Sequence, residues 1–162
     1  MSTKTAAGSD DLVPLDPFTA AGLRRSFVSG DPNGERLRVH YFRRSDGGLV
    51  ADVWFGPGTE GPPGHAHGGS IAAVLDEAMG IAAWMAGHKA VAAQLVTNFK
   101  QMIPLGTTAR VETTIRGIAG RKVTIAARVR DAAGQTLAEA EGLFVTLAPE
   151  VVATIERMMR SV

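Results

Sequence analysis

One stretch limits what this chain can become. Residues 67–86, HGGSIAAVLDEAMGIAAWMA, place Ile71, Leu75, Ala78, Met79 and Ala82 at helical spacing, with small Ala and Gly on the remaining faces. A helix that is apolar almost all round has to be buried. It is too short, and too interrupted by Asp76 and Glu77, to cross a bilayer. Gly87 is placed to end it as a C-cap. Something must wrap this helix, and the rest of the chain offers mainly strands.

The strands read from period-two alternation. Leu37, Val39 and Tyr41 share one face, with Arg36, Arg38 and His40 on the other, and Asp46-Gly47-Gly48 supplies a hairpin turn before an apolar strand over 49–55. The run GPGTEGPPG at 56–64 breaks all regular structure. Beyond the helix, four strands are expected over 93–102, 108–117, 122–131 and 135–147, joined by turns too short for parallel crossovers. Gly142, inside the last, predicts a bulge or a close backbone approach. Pro149 opens a terminal helix with an apolar stripe of Val152, Ile155 and Met159. The expected fold class is therefore α+β, an antiparallel sheet wrapped around one long central helix. The expected organisation is a loosely held tail over 1–30 with a short helix at 17–28, a compact domain over 31–148, and a C-terminal helix over 149–162.

Composition removes whole classes of function. In 162 residues, Lys+Arg of 17 against Asp+Glu of 16 leave +1 with no block of like charge, so a nucleic-acid partner has no electrostatic footprint. The absence of cysteine excludes disulfides, zinc ribbons and thiol catalysis. With no apolar signal segment at the start, a cytoplasmic location is expected, without a membrane partner. A dinucleotide fingerprint and a Walker A loop are absent, and Ser70 lacks the strand–Gly-x-Ser-x-Gly–helix context of a nucleophilic serine. His65 and His67 in a loop, with His88 beyond the helix, are a weak signal for zinc, which takes three or four supported ligands. No metal and no cofactor is expected.

Two features remain. His67-Gly68-Gly69-Ser70 stands at the entry of the helix, where unpartnered N–H groups carry about half a positive charge. Two glycines leave those groups open to a phosphate, a carboxylate or a developing oxyanion; equally, they let the loop turn. The second feature is Asp76, which shares a helix face with Gly69, Ala72, Ala73, Gly80 and Ala83. A carboxylate there must be paired, protonated or in a cavity, and burial that raises its pKa suits a general base. Glu77, about 100° round the helix, is expected to face solvent. Gly68 and Asp76 lie eight residues apart, about 12 Å along one axis. A small reacting group needs donor and base within about 3 Å of it, so one helix cannot supply both. If the two act together, Gly68 of one chain meets Asp76 of another.

The sequence Pro62-Pro63-Gly64-His65-Ala66-His67-Gly68-Gly69, the acid nine residues after His67, Val96-Thr97-Asn98-Phe99-Lys100 with Ile103-Pro104-Leu105, and Gly120-Arg121-Lys122 together resemble the hotdog-fold acyl-CoA thioesterases. The nearest likeness is to the phenylacetate-pathway type, including the mammalian THEM-like enzymes. The resemblance runs over about 52–147. It implies a hotdog fold, a homodimer or a tetramer built as a dimer of dimers, and an acyl thioester of coenzyme A or of a carrier protein as substrate. It implies that the Gly68 N–H polarises the carbonyl, with His67 and Gly69 shaping the loop, and that Asp76 of the facing subunit is nucleophile or general base. Substrate-binding candidates are Asn98, the cations Lys100, Arg121 and Lys122 for the phosphates of coenzyme A, and Gln94. The helix face around Met79, Ala83, Trp84 and Met85 is a candidate acyl pocket or, as for most helical Met and Trp, plain core. Similar proteins carry a serine or threonine that positions water where this chain has Ala92, and Gln94, two residues on, is expected on the same strand face in its stead. Gly61 stands where some carry Asn or Gln. A hotdog dehydratase would show an Asp-x-Asn-Pro-x-His stretch, which is absent. The alternative to a hydrolase is a non-enzymatic acyl-CoA binding or regulatory protein.

Overall fold

The computed structural model describes residues 11–17 and 25–161. Seven strands form one sheet: β1 (Val13–Leu15), β2 (Leu37–Arg43), β3 (Leu49–Phe55), β4 (Ala90–Phe99), β5 (Thr108–Ala119), β6 (Lys122–Arg130) and β7 (Thr136–Thr146). Their order is β1-β2-β3-β5-β6-β7-β4, and every pairing is antiparallel. Helix α1 (Gly68–Met85) lies between β3 and β4 in the chain and packs on one face of the sheet, and a second helix, α2 (Pro149–Arg160), follows β7. This is the hotdog arrangement that the resemblance implies. The short helix expected at 17–28 falls largely on residues 18–24, outside the described ones. Val13–Leu15, expected within a loose tail, pairs instead with Tyr41–Arg43 as an edge strand.

The core forms where sheet and helix meet. Ile71, Val74, Leu75, Ala78, Met79 and Ala82 make the buried stripe of α1, set against Val53, Val111, Val123, Ile125 and Phe144 of the sheet. Each fully buried Val, Leu, Ile, Phe or Met among them is worth about 1.5–3 kcal/mol. One sheet layer covers only one side of a helix, however. Ala72, Ala73, Asp76, Glu77, Gly80 and Trp84 stay half-buried, so α1 has an open face where the sequence led to a fully enclosed helix.

Gly142 answers to the second of its two expectations. It pairs in register with Ile125 and Leu95, and an added Cβ would lie 2.5 Å from a ring carbon of Phe144 and 3.3 Å from the thioether of Met79. The missing side chain is what lets α1 approach the sheet. The register shifts fall elsewhere, at Arg116 in β5, at Ala93 in β4 and, within β7 itself, at Leu137.

Candidate active site

The loop that enters α1 is held rigidly. Thr59 O accepts from the His67 N–H at 2.7 Å, Ile103 O from the Ala66 N–H at 2.8 Å, and Gly64 O from the Leu105 N–H at 3.0 Å. An added Cβ at Gly61 would come within 2.7 Å of the His67 Cα, so a side chain at this position would displace the helix entry. His67 caps the helix: its Nδ1 accepts from the Gly69 N–H at 2.8 Å, which puts the proton of the neutral ring on Nε2. The Ser70 N–H donates to His67 O at 2.9 Å. Of the two glycines, Gly69 thus has its amide committed. The Gly68 N–H donates to no described residue. It borders a small pocket of about 240 Å³ with Ile71, Phe99, Lys100 and Met102, and the Phe99 ring stands 3.2 Å from where a Gly68 Cβ would be.

The far end of α1 is closed by Gly87, whose φ of +89° is a conformation that favours glycine. There the Gly87 N–H donates to Trp84 O at 3.1 Å and the His88 N–H to Ala83 O at 2.9 Å, the paired bonds of a Schellman end. Between the two ends lies Asp76. No described residue donates a hydrogen bond or an ion pair to its carboxylate. Burial first, and the neighbouring Glu77 charge second, raise its pKa above the ordinary carboxylate value. It opens into a groove of about 540 Å³ lined by Phe27, Ala73, Gly80, Trp84, Ala92 and Ile155, among others.

Glu77 does not face solvent as expected. It accepts from Ser26 Oγ and, at 2.8 Å, from the Tyr41 hydroxyl, tying the 26–29 turn and β2 to the helix. Burial and the Glu77 carboxylate hold the Tyr41 phenol well above its ordinary range, so it remains a donor. Helical spacing cannot reveal this role, because Ser26 and Tyr41 lie 51 and 36 residues away in the chain.

Gln94 is also displaced from its expected place. Ala92 pairs with Phe144, which is buried against the helix, but Gln94 pairs with Leu143. The extra residue, Ala93, reverses the alternation, so Gln94 lies with Val96 and Asn98 on the sheet face away from α1. Asn98 lines a shallow depression there with Glu112, Arg116 and Arg128. Lys100 borders the Gly68 pocket and pairs with Glu139 at 3.1 Å. Arg121 donates to Thr146 O at 3.0 Å, at the end of the sheet where Ala90 and Thr146 pair, and the exposed Lys122 follows it. The chain therefore groups Gly68 with Lys100, leaves Asp76 in its own groove, and turns Gln94 and Asn98 away from both. Among the described residues no three His, Asp or Glu side chains cluster as metal ligands, and no helix is long and apolar enough to cross a membrane.

The groove brings together residues that the sequence places on separate elements. Trp84, Ile155 and Met159 line it beside Asp76, whereas of the other acyl-pocket candidates on the same helix Met79 and Ala83 are core and Met85 packs against the core. Phe27 lines it as well, ahead of the residues expected to begin the compact domain.

Comparison with known proteins adds to this geometry. A family profile described as "Thioesterase superfamily" matches residues 63–138. The chain is 36% identical over 142 residues to the acyl-coenzyme A thioesterase THEM4 of Bos taurus, covering 84% of this chain and 59% of that protein. The chain spans about half the length of the curated relatives it matches. A crystal structure of a thioesterase superfamily protein is similar with TM-score 0.68 and 32% identity, covering 86% of this chain and 68% of that one. The fold is also shared with a hypothetical thioesterase from Streptococcus pneumoniae solved with coenzyme A, at TM-score 0.63, 17% identity and coverage of 70% and 88%.

Proposed function

Because the chain belongs to the thioesterase superfamily, we propose that it hydrolyses acyl thioesters of coenzyme A at a site shared between two copies. The observation that carries this reading is Asp76, a half-buried carboxylate without a described partner, at the wall of a groove large enough for a small molecule. In the proposed reaction the Gly68 N–H of one protomer polarises the thioester carbonyl. Asp76 of the other either takes a proton from the water that attacks the carbonyl carbon, or itself attacks that carbon to form a mixed anhydride that water then cleaves, restoring the carboxylate. Both routes collapse negative charge onto an oxygen that a pre-set helix N-terminus stabilises, and both expel the coenzyme A thiolate.

The free edge of β4 supports the shared site. Among the described residues Ala90–Phe99 pairs only with β7, and it contains no charged residue and exposes Val91 (50%), Val96 (51%) and Phe99 (54%). Natural edges that stay unpaired usually carry lysine, proline or other blocks, and this one does not. Ala92 lines the Asp76 groove and Phe99 stands at Gly68, at opposite ends of the strand. Antiparallel pairing of two β4 strands about a two-fold axis sets the Asp76 end of one against the Gly68 end of the other. The roughly 12 Å between the two groups on one helix is then bridged by symmetry. Lys100, Arg121 and Lys122 lie at those two ends and are the proposed phosphate contacts.

A second reading, a binding or regulatory protein, is favoured by one observation: the bulge at Ala93 leaves the groove wall at Ala92 without a side chain to hold water. Release of free thiol from a panel of acyl-CoAs separates the two. Turnover that falls at least about a hundredfold in Asp76→Asn is expected. Acyl-CoA binding without thiol release identifies the binding protein.

A further inference from the structure

Resting on the proposed reaction, we infer that Phe99 is the positioning residue of the oxyanion donor: seated on the Cβ-free side of Gly68, its ring fixes the entry of α1 and gives the Gly68 N–H an apolar neighbour. The contact is direct. The ring carbons Cζ, Cε1 and Cε2 lie 3.2, 3.4 and 3.7 Å from where a Gly68 Cβ would be, nearer than any other atom outside the helix entry itself. Glycine at 68 is what lets the ring close to that distance. A hydrogen bond beside carbon is stronger than one beside water, and a donor that need not move as charge develops stabilises that charge more.

The bulge in β4 is what brings the ring there. Unbroken alternation from Ala92 would put Gln94, Val96 and Asn98 on the helix side and turn Phe99 away. The extra residue at Ala93 reverses this, so Leu95, Thr97 and Phe99 face α1 from positions opposite Gly142, Ala140 and Ala138. Leu95 packs on the core, and Ala138 and Ala140 are buried, as that orientation requires. The residue that takes Gln94 from the groove therefore supplies Phe99 to the donor. The end of the strand is pinned on both flanks. The Lys100 and Gln101 N–H groups both donate to Leu137 O, at 2.9 and 3.0 Å, and Ile103 O accepts from the Ala66 N–H of the helix-entry loop. The rest of the ring is exposed at the free edge of β4. Two-fold pairing of that edge brings the Asp76 end of a second copy to it, so one ring borders the donor of its own chain and the base of the other.

The test is a double-mutant cycle between Phe99→Leu and Gly68→Ala, the second of which keeps the N–H and only pushes on the ring. Turnover of acyl-CoA is measured with calorimetric binding of two probes: an S-alkyl-CoA thioether, which has no carbonyl, and a ketone analogue with a methylene between sulfur and carbonyl. Both are run at protein concentrations where light scattering gives the wild-type assembly. Each single variant is expected to lose about tenfold in kcat and to lose the ketone's advantage in affinity over the thioether, with thioether affinity itself unchanged. A merely structural role would weaken both probes alike. In the double variant the shorter leucine leaves room for the alanine methyl. Its loss is expected to be no larger than that of the worse single variant, against about a hundredfold for independent effects. Single variants within about threefold of wild-type kcat, or losses that multiply in the double variant, overturn the inference. If the protein releases no thiol but the ketone's advantage shows the same coupling between residues 68 and 99, the role of Phe99 stands and the hydrolase reading falls. If thiol is released without that coupling, the hydrolase reading stands and the inference falls. Absence of both thiol release and ketone advantage removes the two together.

Discussion

At Asp76 two requirements conflict. Withdrawing a carboxylate from water makes it the stronger base that the proposed reaction calls for, and the folded protein bears the cost of that withdrawal. Because the folded-state pKa is raised, the fold binds this proton more tightly than the unfolded chain does. The group therefore favours folding at acid pH, and that contribution is lost as pH rises through the raised value. Asp76→Asn removes a charge that the groove does not neutralise, so at neutral pH the variant should melt at or above the wild-type temperature while losing activity. The difference should close as pH falls below the ordinary carboxylate range, which thermal melts at several pH values will show. Glu77 acts on the same group. Its charge is the second cause of the shift, so Glu77→Gln should move the acid limb of the kcat/KM profile part of the way to lower pH. Burial, the larger cause, remains. The glutamine can still accept from Tyr41, and a retained melting temperature will separate this effect from loss of the Ser26–Glu77–Tyr41 contacts.

Two glycines show what a helix and a strand each demand. Gly80 lies in the interior of α1, where glycine is about 0.5–1 kcal/mol worse than alanine, and the space beside it accepts a Cβ. Gly80→Ala should therefore stabilise the fold by up to about that amount, measured by urea denaturation, at the expense of room in the groove. Gly142 is the opposite case. Its missing Cβ is filled by Phe144 and Met79, so Gly142→Ala should destabilise by about 1–3 kcal/mol in the same assay, since both neighbours must move. The β4 strand adds the bulge at Ala93, a single residue that decides which of its side chains share the groove with Asp76 and which lie on the far face of the sheet.

At the scale of the whole molecule, the separated half-sites predict complementation. Gly68→Pro deletes the proposed oxyanion donor while keeping the helix, because proline suits the first helical position and His67, at ψ 137°, already has the extended backbone that precedes proline. Alone, Gly68→Pro and Asp76→Asn should each be nearly inactive. Unfolded together at equal amounts and refolded, they should recover about a quarter of wild-type turnover, since half of random dimers are mixed and each mixed dimer has one intact site. Recovery of none would show that both groups act within one chain. Val96→Lys, placed on the uncharged edge of β4, should weaken assembly and activity together, followed by light scattering alongside the thiol assay.

The pattern of apolar residues by itself determined the antiparallel sheet, the helix from its His67-Gly68-Gly69 entry to Gly87, and the α+β class, because periodicity and turn chemistry are local and survive without knowledge of contacts. It singled out Asp76 and Gly68 by the same means: a charge on an otherwise small and apolar face, and glycines at a helix entry. Three things were decided only by tertiary structure. Glu77 found Ser26 and Tyr41 across the fold, Gln94 was turned over by one bulged residue, and the open face of α1 became a groove because a single sheet covers one side of a helix. Each depends on which distant backbone lies opposite, and a one-residue shift in pairing exchanges the two faces of a strand without altering its sequence pattern.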